Sequence, residues 1–228
     1  MSEFAGFTPD VFQFLHELDA NNSRDWFKAN QPRYEASVRE PARAFVRAVA
    51  DRLPEISGHF VGNDKKVGGS VMRPQRDTRF SKDKTPYKTN LGIHFKHVRG
   101  KDVHAPGFYL HIHPEEISLG VGLWHPDKDG LAGIRQAIVT RPDDWTAARD
   151  AAVGAGFKQA GDSLKRAPKG YDADHPLIED LRRKDHIVSE ELDVDDVLGP
   201  EALDFVFERF AATAPFQRFL VEAVGLSF

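Results

Sequence analysis

The chain has 228 residues, 40% hydrophobic and 29% charged, a formal net charge of -4 and a pI near 6.2. That length carries one large domain or two small ones, and the composition is that of an ordinary globular protein. With no cysteine, disulfides, thiolate metal ligands and thiol nucleophiles are excluded, and the acidic balance argues against a duplex binder with a broad basic face.

The opening stretch, MSEFAGFTPDVF, lacks the basic segment and apolar core of a secretory leader. No apolar run approaches the ~20 residues of a membrane span. The expectation is a cytoplasmic protein with no membrane partner.

The first third reads as helical. Thr8 and Pro9 form a start signal, a hydroxyl at the N-cap and proline at the first helical position. Val11, Phe12, Leu15 and Leu18 then recur at helical spacing. Ser23 to Ala29 predicts a short helix carrying Trp26 and Phe27, and Pro32 starts another. Tyr34, Val38, Ala42, Phe45, Val46, Val49 and Leu53 form one apolar stripe, with Pro54 just beyond it.

Between Val67 and Trp124 the pattern changes to alternation, the mark of strands. Leu91, Ile93 and Phe95 alternate with Gly92, His94 and Lys96. Phe108, Leu110 and Ile112 alternate with Tyr109, His111 and His113. Ile117, Leu119, Val121 and Leu123 alternate with Ser118, Gly120, Gly122 and Trp124. Helical patterns return at Gly130–Val139, Asp143–Ala152, Pro176–Lys184, Glu201–Ala212 and Pro215–Val224, with a polar connector over Gly161–Asp174. The expected class is α+β: a central antiparallel β meander of about four or more strands, flanked by N-terminal and C-terminal helices. One domain over 1–228 is expected, with helices at about 9–53, the sheet at about 67–124 and helices again at about 130–224.

Several segments in order, NNSRDWFKANQPRYE, RFSKDKTPYKTNLGIHF, GFYLHI, GVGLWHP and KGYDADHPLIEDLRRK, resemble the bacterial family catalogued as domain of unknown function 2461. The resemblance spans roughly Phe7 to Phe219. It implies one family-wide cytosolic domain with an aromatic residue at position 186, where this chain has histidine. It brings no activity and no catalytic residues.

Charge is unevenly spread. Arg73–Asn90 holds six basic residues, Arg73, Arg76, Arg79, Lys82, Lys84 and Lys88, against two acidic ones, Asp77 and Asp83. Arginine forks and lysine point charges suit a phosphate or carboxylate. Ser81, Thr85 and Thr89 add neutral donors. Arg73, Arg76, Arg79 and Lys82 fall at steps of three, which would line one side of a polyproline-like strand. The rival partner for this loop is Ser189–Glu208, with eight acidic residues and no basic one.

The loop leads into the His94 strand, so loop and polar sheet face are expected to form one pocket. Its cations would sit at the rim, with Tyr87, His94, Tyr109, His111, His113 and Trp124 beside them. Strand glycines mark close approach of a backbone or ligand. The favoured partner is a small anionic, phosphorylated ligand. The alternatives are a single-stranded nucleic acid stacked on Tyr87, Tyr109 or Trp124, or an acidic protein docked on the loop.

If the protein is an enzyme, His111 or His113 is the acid or base and Arg79 stabilises developing negative charge. Ser81 and Ser118 lack a nucleophile-elbow context. His94, His111 and His113 are the only set by which spacing suggests a metal; no carboxylate joins them, so no metal is expected. Neither a P-loop nor a dinucleotide fingerprint is present, which leaves the cofactor unassigned. Tyr171, Asp174 and His175 form a lesser acid–base candidate, with a turn as the simpler reading.

Overall fold

The computed structural model describes residues 4–100 and 104–228, so the first three residues of the opening stretch lie outside it. Helix α1 is Pro9–Ala20. Thr8 holds the N-cap position through its carbonyl, which accepts from the Val11 N–H; its hydroxyl makes no capping bond. Helix α2, Arg24–Ala29, is capped by Ser23, whose side chain accepts from the Trp26 N–H.

Helix α3, Gln31–Tyr34, passes through a wide turn, Glu35–Arg39, into α4, Glu40–Ile56. In that turn the Glu40 N–H reaches back five residues to the Glu35 carbonyl. Pro41 supplies the cause. It has no N–H to donate, and its ring would collide with the carbonyl four residues back in a regular helix. The apolar stripe from Tyr34 to Leu53 is buried throughout. Pro54 lies inside α4 rather than beyond it, because buried Leu53 and core-packed Ile56 hold the last turn.

The sheet is antiparallel and six-stranded. Its strands are β1 (Phe60–Val61), β2 (Leu91–His97), β3 (Gly107–His113), β4 (Glu116–Leu123), β5 (Lys158–Ala160) and β6 (His186–Leu192), in the order β1-β2-β3-β4-β6-β5. β2, β3 and β4 are the meander that alternation predicts. The sheet departs from the 67–124 span at both ends. Residues 67–90 form a loop joined to the sheet by a bridge at Val71–Ile93 and closed on itself at Gln75–Tyr87. β5 and β6 come from the part that reads as helix and connector. β6 begins one residue after the charged run RRKD and continues into the acidic stretch, which hides its alternation.

The remaining helices are α5 (Lys128–Thr140), α6 (Pro142–Gly154), α7 (Ile178–Arg182), α8 (Ala202–Ala212) and α9 (Ala214–Ala223). Among the described residues no helix is long and apolar enough to cross a membrane. The apolar side chains of β2, β3 and β4 meet the helices on one face. Phe95 packs edge-on to Phe45 of α4 and to Phe210 of α8, and Phe210 also meets Phe108. The opposite face is therefore free of this helical layer.

His186 lies on the helix-covered face, opposite Leu123, and is 1% exposed. It meets Trp145 edge to face, the contact an aromatic residue would make there. Neither ring nitrogen makes a hydrogen bond of good geometry, and the Asp180 backbone offers only a weak one. Burial pushes its pKa down to about 3, with Arg183 and Arg135 adding to the effect. Unfolded, a histidine takes up a proton near pH 6.5. The folded chain does not, so stability is full above that pH and falls as pH drops below it. His186→Phe should therefore raise stability by about 1 kcal/mol at pH 7.5 by removing poorly paired polar atoms. It should also lose less stability than the wild type between pH 6.5 and 4.5. Thermal denaturation at the two ends of that range is the check, and a lower melting temperature for the variant at pH 7.5 would contradict it.

Candidate functional site

On the face away from the helices, register sets three rows of side chains. Gly92, His111 and Ser118 stand opposite one another; so do His94, Tyr109, Gly120 and Ser189; and so do Lys96, Gly107, Gly122 and Ile187. Directly opposed residues of antiparallel strands share a face. Glycine recurs in these rows because the larger neighbours need the space. A Cβ on Gly92 would collide with the Tyr109 hydroxyl, and one on Gly107 with His94 Nε2. Gly122 has φ +128 and would meet the His186 carbonyl.

Above these rows lies a cavity of about 460 Å³, within the usual range for a small-molecule site. Its floor is Gly107, Gly120 and Gly122, and its walls are Met72, Lys88, His94, Tyr109, Trp124 and Ile187. The lining is mostly apolar. Met72 is delivered by the loop, which runs antiparallel to β2 there: the Met72 N–H donates to the Gly92 carbonyl and the His94 N–H to the Ser70 carbonyl. Trp124 stands at the rim, 47% exposed, stacked on His125 at 4.2 Å and on His104 at 5.6 Å.

Buried Asp185 anchors that rim. It accepts the backbone N–H groups of His125 and Asp162 and pairs with His125 Nδ1 at 2.7 Å. Burial raises its pKa, but the two amide bonds and His125 outweigh this and hold it below the usual carboxylate range.

Burial shifts the ionisable groups of the cavity toward their neutral forms. Burial pushes His94 down to about 4, with Lys96 adding to it. Burial also pushes the Tyr109 phenol up to about 12, against the opposing effect of Asn90. Both are uncharged at pH 7. Lys88 is half-buried, and its pKa is lowered by burial and then by the charge of Arg73. No carboxylate among the described residues pairs with it. Among the described residues it is the only lysine or arginine lining this cavity.

The rest of the basic loop goes elsewhere. Residues 74–88 double back as a hairpin, with the Arg76 N–H on the Pro86 carbonyl and the Lys88 N–H on the Pro74 carbonyl. The polyproline-like row of four cations does not form. Arg76 pairs with Asp83 and Thr85, Arg79 with Asp77 at 2.7 Å, and Lys84 Nζ with the Thr78 carbonyl at 2.8 Å. Two of the loop's six cations are thus paired with its own two aspartates. Among the described residues, no ion pair joins it to 189–208, where Glu190 holds Arg209 and Asp204 holds Arg52.

Arg76 and Lys84 line a second cavity of about 470 Å³ with Arg24 and Tyr87. Asn22 ties this cavity's wall together, donating to the Tyr87 carbonyl and accepting from its N–H. The Tyr87 ring lies flat on Phe27, 4.1 Å away. Arg73 and Lys82 are exposed, and Phe80 at the tip is 95% exposed beside Ser81.

From the loop, Met72 and Lys88 line the cavity on the sheet face, while Arg76 and Lys84 line the second one. Of the residues singled out from sequence, Lys88, His94, Tyr109 and Trp124 come together. His111 and His113 share the sheet face but do not line the cavity. His111 Nδ1 meets Asn90 at 3.3 Å, and burial first, then His113, lowers its pKa. His113 Nδ1 accepts the Glu115 N–H in the hairpin turn. No group of three His, Asp or Glu among the described residues is placed to hold a metal ion. In the KGYDADHP segment, His175 Nδ1 accepts the Leu177 N–H and Asp172 accepts the Asp174 N–H, so these residues shape a turn.

Sequence reasoning missed Met72, Gly107 and Ile187 in the cavity. Gly107 was legible in principle, standing two residues before Tyr109 on the same face. Met72 and Ile187 arrive by tertiary pairing and carry no local signal.

The neutral His94 gives a test of the site's burial. Its folded pKa is below its unfolded one, so its contribution to stability is full above about pH 6.5 and is lost as pH falls toward about 4. His94→Gln should show a flatter decline in melting temperature across that window. An unchanged slope would mean that His94 is solvated in the folded chain.

Neither the curated proteins nor the solved structures compared with this chain give a match. One family model does match, described as a conserved hypothetical protein (DUF2461), over residues 10–219. That span holds both the cavity and the loop beside it, and the chain belongs to the DUF2461 family.

Proposed function

We propose that this protein binds a small organic anion in the glycine-floored cavity, with Lys88 as the charged contact. The observation that carries this reading is Lys88 itself. A lysine half removed from water, repelled by Arg73 and without a carboxylate partner among the described residues is electrostatically unsatisfied. An anion in the cavity would relieve that state and restore the lysine's proton affinity. The neutral Tyr109 phenol and His94 offer hydrogen bonds beside it, and the apolar walls suit a ligand body that is not itself charged. A single cation with mostly apolar walls fits one carboxylate or one phosphate ester better than a polyphosphate. No reaction is assigned. A chain with no cysteine suits a reducing compartment, and we keep the cytoplasm as the proposed location.

The test is a thermal-shift panel of monocarboxylates and phosphate monoesters on three proteins. At least one anion should stabilise the wild type, since a ligand bound only to the folded state raises its stability. Lys88→Met should bind that anion about tenfold or more weakly while melting no lower without ligand, because an unpaired, desolvated charge has been removed. The double variant Arg76→Ala, Arg79→Ala should bind like the wild type. Hits that survive Lys88→Met, or that vanish only in the double variant, would move the anion to the second cavity and overturn this reading.

A further inference from the structure

We infer that the ligand is flat: an aromatic or heteroaromatic ring bearing one acidic group, lying face-down on the backbone at Gly120. This rests on the reading that the cavity holds an organic anion on Lys88, and it adds the shape of the body attached to that anion.

The inference starts from a difference among the glycines of this sheet face. Gly92 has no Cβ because the Tyr109 hydroxyl occupies that space, and Gly107 because His94 does. Gly122 is required twice over, by its φ of +128 and by the His186 carbonyl. The protein itself explains all three.

It does not explain Gly120. Its φ lies outside the left-handed region, and a Cβ built there would meet only Tyr109 Cβ at 3.8 Å and Cδ1 at 3.9 Å, ordinary van der Waals contact. Gly120 sits within β4, paired on both sides, opposite Tyr109 and Ser189. Glycine inside a strand is less stable than a residue with a side chain, by roughly 0.5–1 kcal/mol against alanine. Here the fold tolerates a side chain, and the one space that it would fill is the cavity.

The surroundings give that space its form. Tyr109 borders it on the neighbouring strand, Trp124 stands at the rim, and Met72 is brought across by the loop. Bare backbone below and apolar or aromatic side chains around it make a slot suited to a planar ring rather than a puckered one. A methyl group on the floor would lift such a ring off the backbone.

The probes are 2-naphthoate, flat with one carboxylate, and decahydro-2-naphthoate, its puckered counterpart, titrated by calorimetry. Wild-type protein should bind the flat acid about tenfold or more tightly than the puckered one. Gly120→Ala should weaken 2-naphthoate about tenfold, and Gly120→Val should abolish its binding. Neither variant should melt below the wild type without ligand.

No binding of 2-naphthoate at millimolar concentration, equal affinity for the two acids, or undiminished binding in Gly120→Ala would overturn the inference. A lower melting temperature for unliganded Gly120→Ala would overturn it too, by showing that the fold needs this glycine. Lys88→Met separates the two readings. If it weakens both acids while Gly120→Ala weakens neither, the anion site stands and the flat slot falls. If Lys88→Met weakens neither, the anion reading falls and this inference with it.

Discussion

The register of β3 against β4 is the constraint on which the rest of the molecule depends. It sets Tyr109 opposite Gly120 and Gly107 opposite Gly122, with Phe108 and Val121 facing the other way between them and Leu110 and Leu119 facing that way just beyond. A slip of one residue would exchange the faces. The polar residues of β3 would then meet Phe45 and Phe210, and the leucines would face the cavity. Register is strongly specified here because the helix-covered side is so apolar: Phe95, Phe108, Leu110, Ile112 and Leu119 are all fully buried. Burial of one face thereby positions every side chain of the other, and the cavity is placed by hydrophobic packing it does not touch.

The basic loop shows why a charge run is a poor guide to where an anion binds. Local excess of positive charge is a property of the sequence, but the field at a site depends on pairing. Asp77 and Asp83 lie within the same run and take Arg79 and Arg76 as partners, exposed pairs worth little in stability but enough to fix the side chains. The hairpin closed at Gln75–Tyr87 then places Arg76 in the second cavity, and neither Arg76 nor Arg79 lines the one on the sheet face. Lys88 stands just past the hairpin, the last cation of the run, and falls where the loop rejoins β2. It gains its character from burial and from Arg73, neither of which is visible in composition.

The elements that were legible in the sequence are those whose own residues decide them. The α4 stripe from Tyr34 to Leu53 and the alternation in β2, β3 and β4 are long and unbroken, so the α+β class and the meander follow directly. What was hidden depends on partners distant in the chain. β6 is held by β4 and β5, yet its residues, HIVSEEL, carry three polar or acidic side chains in a row. The wide turn before Pro41 is a compromise between a proline and a helix that packing keeps whole. At the site, alternation correctly put His94, Tyr109 and Trp124 on one face, but it could not say that His111 and His113 lie outside the cavity. That boundary is drawn by Met72, which crosses over β2 from the loop.

Consistency between local preference and global fold is what makes a sequence specify one structure, so local departures carry information when they gather in one place. Three gather here. Gly120 forgoes a side chain that the strand could accommodate. Lys88 keeps a charge in a half-buried place without a counter-ion among the described residues. His94 gives up its proton affinity to remain among apolar walls. Each lowers stability, and no packing requirement explains the first two. Contrast His186, a departure of similar size on the opposite face. It stands alone, its ring fills the space of an aromatic residue against Trp145, and core packing accounts for it. A single misfit in a core is a matter of packing. Glycine, lysine and histidine instead converge on one cavity, and it is this convergence that the proposed ligand would account for.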